Sequence, residues 1–128
     1  MAIEFDIWTC ELDPEINILV VNPEAVEEWK ALADEGRFSG THGFCLFGED
    51  IDPMIVMDSR VLEEEWFTED HFLVIVAHEL GHIRLETTNE EQADLYGIQL
   101  LEERGHLDAV DLHRSLHEQR KLSGWYEG

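Results

Sequence analysis

Apolar positions along the chain fall into two rhythms, one of period two and one of period near 3.6. Ile16–Val21 (INILVV) is a short, β-branched apolar run and predicts a strand. Asn22-Pro23 follows, an N-cap residue and a proline suited to the first helical position. Val26, Trp29, Leu32 and Ala33 then recur at helical spacing up to Gly36, which predicts a first helix. Gly40–Gly43 reads as loop. Phe44–Phe47 and Met54–Met57 flank an acidic, proline-containing turn and predict a strand pair.

Helical spacing dominates the rest. Thr68-Glu69-Asp70 supplies a cap and first-turn acids for a second helix. Its body, Phe72–Ala77, is apolar all round, which predicts burial. Thr87-Thr88-Asn89 breaks the pattern with capping residues, and a third helix is expected from about Glu90 to Arg104, stopped by Gly105. Asp108 is the expected cap of a fourth helix with Ala109, Leu112 and Leu116 on one side; Lys121–Gly128 reads as a tail bearing Trp125 and Tyr126. The element order predicts a small α+β domain: an N-terminal helix and a short mixed or antiparallel sheet, then three helices. With 128 residues and no repeat, linker or low-complexity stretch, a single domain over residues 1–128 is expected.

Charge narrows the partners. Thirty acids against eight bases give a formal −22. Nucleic-acid binding needs clustered Lys and Arg, and anionic membranes repel such a surface, so neither is an expected partner. Residues 1–83 carry 20 of the acids and only 3 of the bases, so the acidity is mostly N-terminal. Solubility is the plainest use of it; steering of a basic partner and adaptation to high salt are the others. No apolar run approaches the roughly 20 residues of a membrane span. Glu4, Asp6, Glu11 and Asp13 interrupt any secretory signal, so a cytoplasmic location is expected. Cys10 and Cys45, unclustered, read as reduced thiols, with a single disulfide as the alternative.

The candidate chemistry sits in His78-Glu79-Leu80-Gly81-His82, an HExxH sequence. On a helix, residues i and i+4 lie about 40° apart and one turn along, so both imidazoles reach one ion. Glu79, about 100° round, stands beside the ion and can take a proton from a bound water. In a chain with seven histidines and so many glutamates, HExxH arises by chance in about one shuffled sequence in twenty. Its placement carries more weight: His, Glu and His on a buried helix are costly unless something satisfies them, and a metal ion does. A catalytic zinc needs a third protein ligand. Glu90 and Asp94, four apart on the next helix, offer a ligand carboxylate and an acceptor for a histidine ring N–H. If Thr88 caps that helix, Glu91 takes the capping-box role; if Thr87 does, Glu90 takes it and Glu91 becomes the ligand.

VIVAHELGH followed by EEQADLYG resembles the gluzincin metallopeptidases, in which HExxH is paired with a glutamate in an E-x-x-A-D or E-x-x-A-N pattern. Size and element order are most similar to the minigluzincins and the ImmA/IrrE-type peptidases. The specific likeness covers residues 72–104. It implies a small zincin-like domain, Zn2+ as cofactor, His78, His82 and Glu90 as ligands, Glu79 as general base and acid, and Asp94 as the support of a ligating histidine. It also implies an edge strand, Met54–Met57 or Phe44–Phe47, that pairs with an extended substrate. Only seven residues separate His82 from Glu90, fewer than in many gluzincins, so the chain must reverse within Thr87–Asn89. No histidine stands six residues after His82, which excludes the metzincin arrangement.

The implied activity is hydrolysis of peptide bonds, with a peptide or protein substrate, a basic one if the acidic surface steers it. Tyr96, His106, His113 and Tyr126 are the candidate oxyanion donors. His113 and His117, also four apart, read as a solvated helix face rather than a second metal site, and His71 and His42 as surface residues. The tail around Trp125 and Tyr126 is expected to anchor the C-terminal helix or to cover the cleft. The rival reading is an acidic, non-catalytic inhibitor or DNA mimic, or a degenerate zincin that binds zinc and a basic partner without turnover.

Overall fold

The structure is a computed structural model that describes residues 5–21, 43–48, 51–124 and 126. The helix expected over Asn22–Gly36 lies outside the described residues, as does His42. The chain forms two compact units, residues 1–67 and residues 68–128.

Among the described residues, the first unit contains a four-stranded mixed sheet: β1 (Phe5–Thr9), β2 (Asn17–Val21), β3 (Gly43–Gly48) and β4 (Ile51–Asp58), in the order β1-β2-β4-β3. β1 and β2 are antiparallel, with Ile7 opposite Leu19. Cys10 N–H donates to the Ile16 carbonyl at 3.3 Å and helps close their connection. β2 runs parallel to β4, with Ile18 beside Ile55 and Val20 beside Met57. β3 and β4 form the expected antiparallel pair, with an irregularity between Leu46 and Gly48. Ile18 and Val20 are buried while Asn17 is exposed, the alternation of a strand with one covered face. Ile55, Val56 and Met57 are buried without alternation, as a strand paired on both sides and covered on both faces requires. This corrects the expectation of Met54–Met57 as an edge: both its neighbours are occupied, and the edges are β1 and β3. β1 was not foreseen, because Ile7 and Trp8 are adjacent, apolar and both exposed, so its sequence shows no clean alternation. Cys10 is buried.

Among the described residues, the second unit forms three helices: α1 (Glu69–Leu85), α2 (Glu90–Glu103) and α3 (Leu107–Ser123). Thr68 caps α1 as expected. Its hydroxyl accepts from His71 N–H at 3.4 Å, and His71 Nδ1 accepts from Thr68 N–H at 3.3 Å. His71 is thus a capping partner rather than an idle surface residue. α2 is capped by Asn89, whose Oδ1 accepts from Gln92 N–H at 2.9 Å. The Thr87 hydroxyl accepts instead from Asn89 N–H at 3.0 Å. Neither threonine is the cap, so neither Glu90 nor Glu91 is drawn into a capping box, and both are free to serve elsewhere. Gly105, just past the end of α2, takes φ 78°, a left-handed conformation open to glycine at little cost. Asp108 does not cap α3; His106 stands at that position with no side-chain cap bond, and Asp108 lies in the first turn. α3 runs to Ser123, beyond the expected start of the tail at Lys121.

α1 packs on α2 and α3, and α3 packs on α2. The body of α1 is buried at Leu73, Val74, Val76, Ala77 and Leu80, and Leu101 of α2 and Ala109 of α3 are buried with it. Each fully buried Leu contributes about 1.5–3 kcal/mol relative to exposure. The helices cross closely at one point. A Cβ on Gly81 would stand 2.6 Å from the Ala93 carbonyl oxygen and 2.7 Å from Ala93 Cα, so only glycine fits. That crossing fixes which residues face each other, with His78 and His82 flanking Gly81 and Glu90 and Asp94 flanking Ala93.

Candidate metal centre

Every group of the centre lies within the helical unit. His78 and His82 share one face of α1, and their Nε2 atoms are 3.2 Å apart. Glu90, in the first turn of α2, closes the triangle. Its Oε2 lies 3.2 Å from His78 Nε2 and its Oε1 2.9 Å from His82 Nε2. His78 and His82 are buried, and Glu90 is half-exposed.

The far sides of both rings settle the tautomers. His82 Nδ1 lies 2.8 Å from the Thr87 carbonyl oxygen, which can only accept, so Nδ1 carries the hydrogen. His78 Nδ1 lies 2.7 Å from Asp94 Oδ1. Asp94 is fully buried and ionised, so this Nδ1 also donates. In the neutral rings both Nε2 atoms therefore present lone pairs to each other and to the Glu90 carboxylate. Three acceptors converge with no hydrogen among them, and only a cation or added protons can fill the space between. The donor set, two imidazoles and a carboxylate, is one that zinc accepts.

Without an ion, protons take that place. Burial alone would lower the His78 pKa, but the Asp94 and Glu90 carboxylates outweigh it and raise it to about 9. His82 is likewise raised: burial works against its charge, and Glu90 and the Thr87 carbonyl more than compensate. Burial would raise Glu90, yet its bonds to His78 and His82 bring it down to about 2. Burial would raise Asp94 too, and bonds from His113 and His78 hold it well below the usual carboxylate range.

Asp94 is the hub behind the three ligand candidates. His113 Nε2 donates to its Oδ1 at 2.9 Å, and Arg120 Nη1 donates to Oδ1 at 2.8 Å and to Oδ2 at 2.9 Å. The Tyr126 hydroxyl donates to Oδ2 and accepts from His117 Nδ1 at 2.8 Å. His113 is fully buried, which overturns its reading as part of a solvated face; His117 is half-buried and joins the same network. Burial lowers the His113 pKa against the pull of Asp94, and among the described residues its Nδ1 has no hydrogen-bond partner. Gly97 makes room for it: a Cβ there would stand 2.4 Å from His113 Cε1. His78, Asp94 and His113 also bring donors together, but Arg120 already neutralises Asp94, so this second group is support rather than a second ion site.

The other candidates are placed as follows. Glu79 is buried on α1. Glu90, not Glu91, meets the imidazoles; a Glu91 carboxylate oxygen lies 3.9 Å from His117 Nε2. His113 and Tyr126, both candidate oxyanion donors, are engaged with Asp94 instead. Tyr96 is half-buried on α2, and ideal helix geometry puts it about 200° round from Asp94. His106 precedes α3 and is half-buried. Sequence reasoning missed Gly81, Gly97 and Arg120. The available signal was the i, i+4, i+7 spacing of His113, His117 and Arg120, with His113 one turn after Ala109 on the stripe expected to be apolar.

Compared with protein-family models, with curated proteins and with solved structures, the chain matches none. Among the described residues, no helix is long and apolar enough to cross a membrane.

Proposed function

We propose that the protein is a zincin-like, zinc-dependent peptidase. The observation that supports this most is the convergence of His78 Nε2, His82 Nε2 and the Glu90 carboxylate, with both Nδ1 hydrogens pinned to the far side. In this reading these three residues hold the zinc. An ion held there would supply an activated water, its pKa brought towards about 7, and a polarising charge for the scissile carbonyl. Glu79, one residue after His78, takes a proton from the attacking water on its carboxylate and delivers it to the leaving amine nitrogen. Asp94 and the Thr87 carbonyl keep the two rings in the ligating tautomer. The formal −22 favours basic peptides as substrates, through a faster encounter.

Metal content and proteolysis of the unmutated protein and of Glu79→Gln test the reading. About one zinc is expected in each, with cleavage slowed by roughly 10²–10⁴-fold in the variant. Zinc in both without cleavage in either would establish a non-catalytic binder, and no zinc in either would overturn the proposal. Cleavage of acidic and basic peptides at equal rates in low salt would remove the preference for basic substrates.

A further inference from the structure

Asp94 takes more bonds than its support of His78 requires. Oδ1 accepts from His78, His113 and Arg120, and Oδ2 accepts from Arg120 and Tyr126. A carboxylate has about four lone-pair directions, so this one is saturated and its plane cannot turn. All the partners other than His78 come from α3 and the residues after it. We infer that Arg120 and Tyr126 are positioning residues for the metal centre, so that docking of the α3 segment and metal binding at His78, His82 and Glu90 are coupled. The inference rests on the metal-centre reading above.

The physical route has two parts. Tyr126 holds Oδ2, which fixes the carboxylate plane and leaves Oδ1 aimed at His78 Nδ1. Arg120 supplies the positive charge that balances Asp94 in a fully buried position, where an uncompensated carboxylate is expensive. Coupling is reciprocal, so whatever the docked segment adds to metal affinity, the metal returns to the docking.

Zinc affinity by competition with a chromophoric chelator, and the visible spectrum of the cobalt-substituted protein, test this on the full chain. Tyr126→Phe leaves Asp94 with His78, His113 and Arg120. It is expected to weaken zinc by about tenfold and to shift the cobalt bands, as changes behind a metal ligand do. Arg120→Gln should weaken zinc by about tenfold to a hundredfold. Arg120→Lys should recover much of that, because both Asp94 contacts come from one nitrogen, Nη1. Arg114→Gln is the control: it breaks an exposed ion pair between the same two helices, Arg114 to Glu102 at 2.8 Å, and should leave zinc affinity unchanged. Zinc should also slow amide exchange over residues 118–124 in the unmutated protein, and less so in Tyr126→Phe. Tyr126→Phe with affinity within about twofold of the unmutated protein and unchanged cobalt bands would overturn the inference. So would an equal loss in Arg114→Gln, since the effect would then be general loosening of α3. No zinc or cobalt in the unmutated protein would overturn the metal centre itself, and the inference with it. Should Arg120→Gln fail to fold, Tyr126→Phe still decides.

Discussion

Residues 1–67 hold 17 acids, 3 bases and a single histidine; residues 68–128 hold 13 acids, 5 bases and six histidines. The strand unit is the more acidic of the two, yet two of the three acids of its β1–β2 connection, Glu11 and Glu15, are exposed. The helical unit carries less net charge and buries Glu79 and Asp94 outright. Formal charge and candidate chemistry therefore separate along the chain. What marks an acid as a candidate for function is the desolvation it tolerates, because a buried carboxylate persists only where partners repay the loss of water. Asp94 meets that demand with three imidazole and guanidinium partners and a phenol, all from its own unit.

The contrast can be tested from its strongest claim to its weakest. The largest effect belongs to a ligand candidate: His82→Ala should leave no stoichiometric zinc after gel filtration, measured by atomic emission. Retention of the ion would break the assignment of the site to the helical unit. Next is the helix crossing. Gly81→Ala gains about 1 kcal/mol in helix propensity, but a Cβ against the Ala93 backbone costs about 1–3 kcal/mol unless the helices part. Net destabilisation in urea, with weaker zinc binding, is expected; a more stable protein with unchanged affinity would show that the crossing does not set the site. The smallest effect belongs to the strand unit. Glu11→Gln with Glu15→Gln should leave zinc affinity unchanged and stability within about 0.5 kcal/mol, as exposed substitutions usually do. A shift in zinc affinity would join the two units electrostatically and undo the separation.

Local features of the fold were legible; convergent ones were not. The strand 17–21, the pairing of β3 with β4, the Thr68 cap and the Gly105 stop each follow from a few neighbouring residues. HExxH and its two-helix partner are legible for the same reason, since helical periodicity places i and i+4 together. Three cap-competent residues in a row, Thr87-Thr88-Asn89, left the start of α2 ambiguous, and only the observed bond from Gln92 N–H to Asn89 resolves it. Met54–Met57 was read as a possible edge because strand order depends on a parallel pairing that no local pattern encodes. His113, Arg120 and Tyr126 lie 19, 26 and 32 residues from Asp94, and meet it only because three helices pack around Gly81 and Gly97. The local traces of that meeting are a polar residue on an apolar stripe and the i, i+4, i+7 spacing of His113, His117 and Arg120.

The bond from His82 Nδ1 to the Thr87 carbonyl has a consequence for how this chain can vary. A backbone acceptor is indifferent to the side chain that bears it, so Thr87 can be exchanged without loss of the bond. The spacing is another matter. The α1 helix ends with Glu86 at φ 49°, and Thr87 N–H then donates to the His82 carbonyl at 3.1 Å, so two atoms of residue 87 answer to residue 82. One residue inserted or removed between Glu86 and Thr87 would carry the acceptor away from the imidazole, and one between Thr87 and Asn89 would swing Glu90 round the start of α2. The turn is constrained in length more than in spelling, and gaps in it would be purged where substitutions pass.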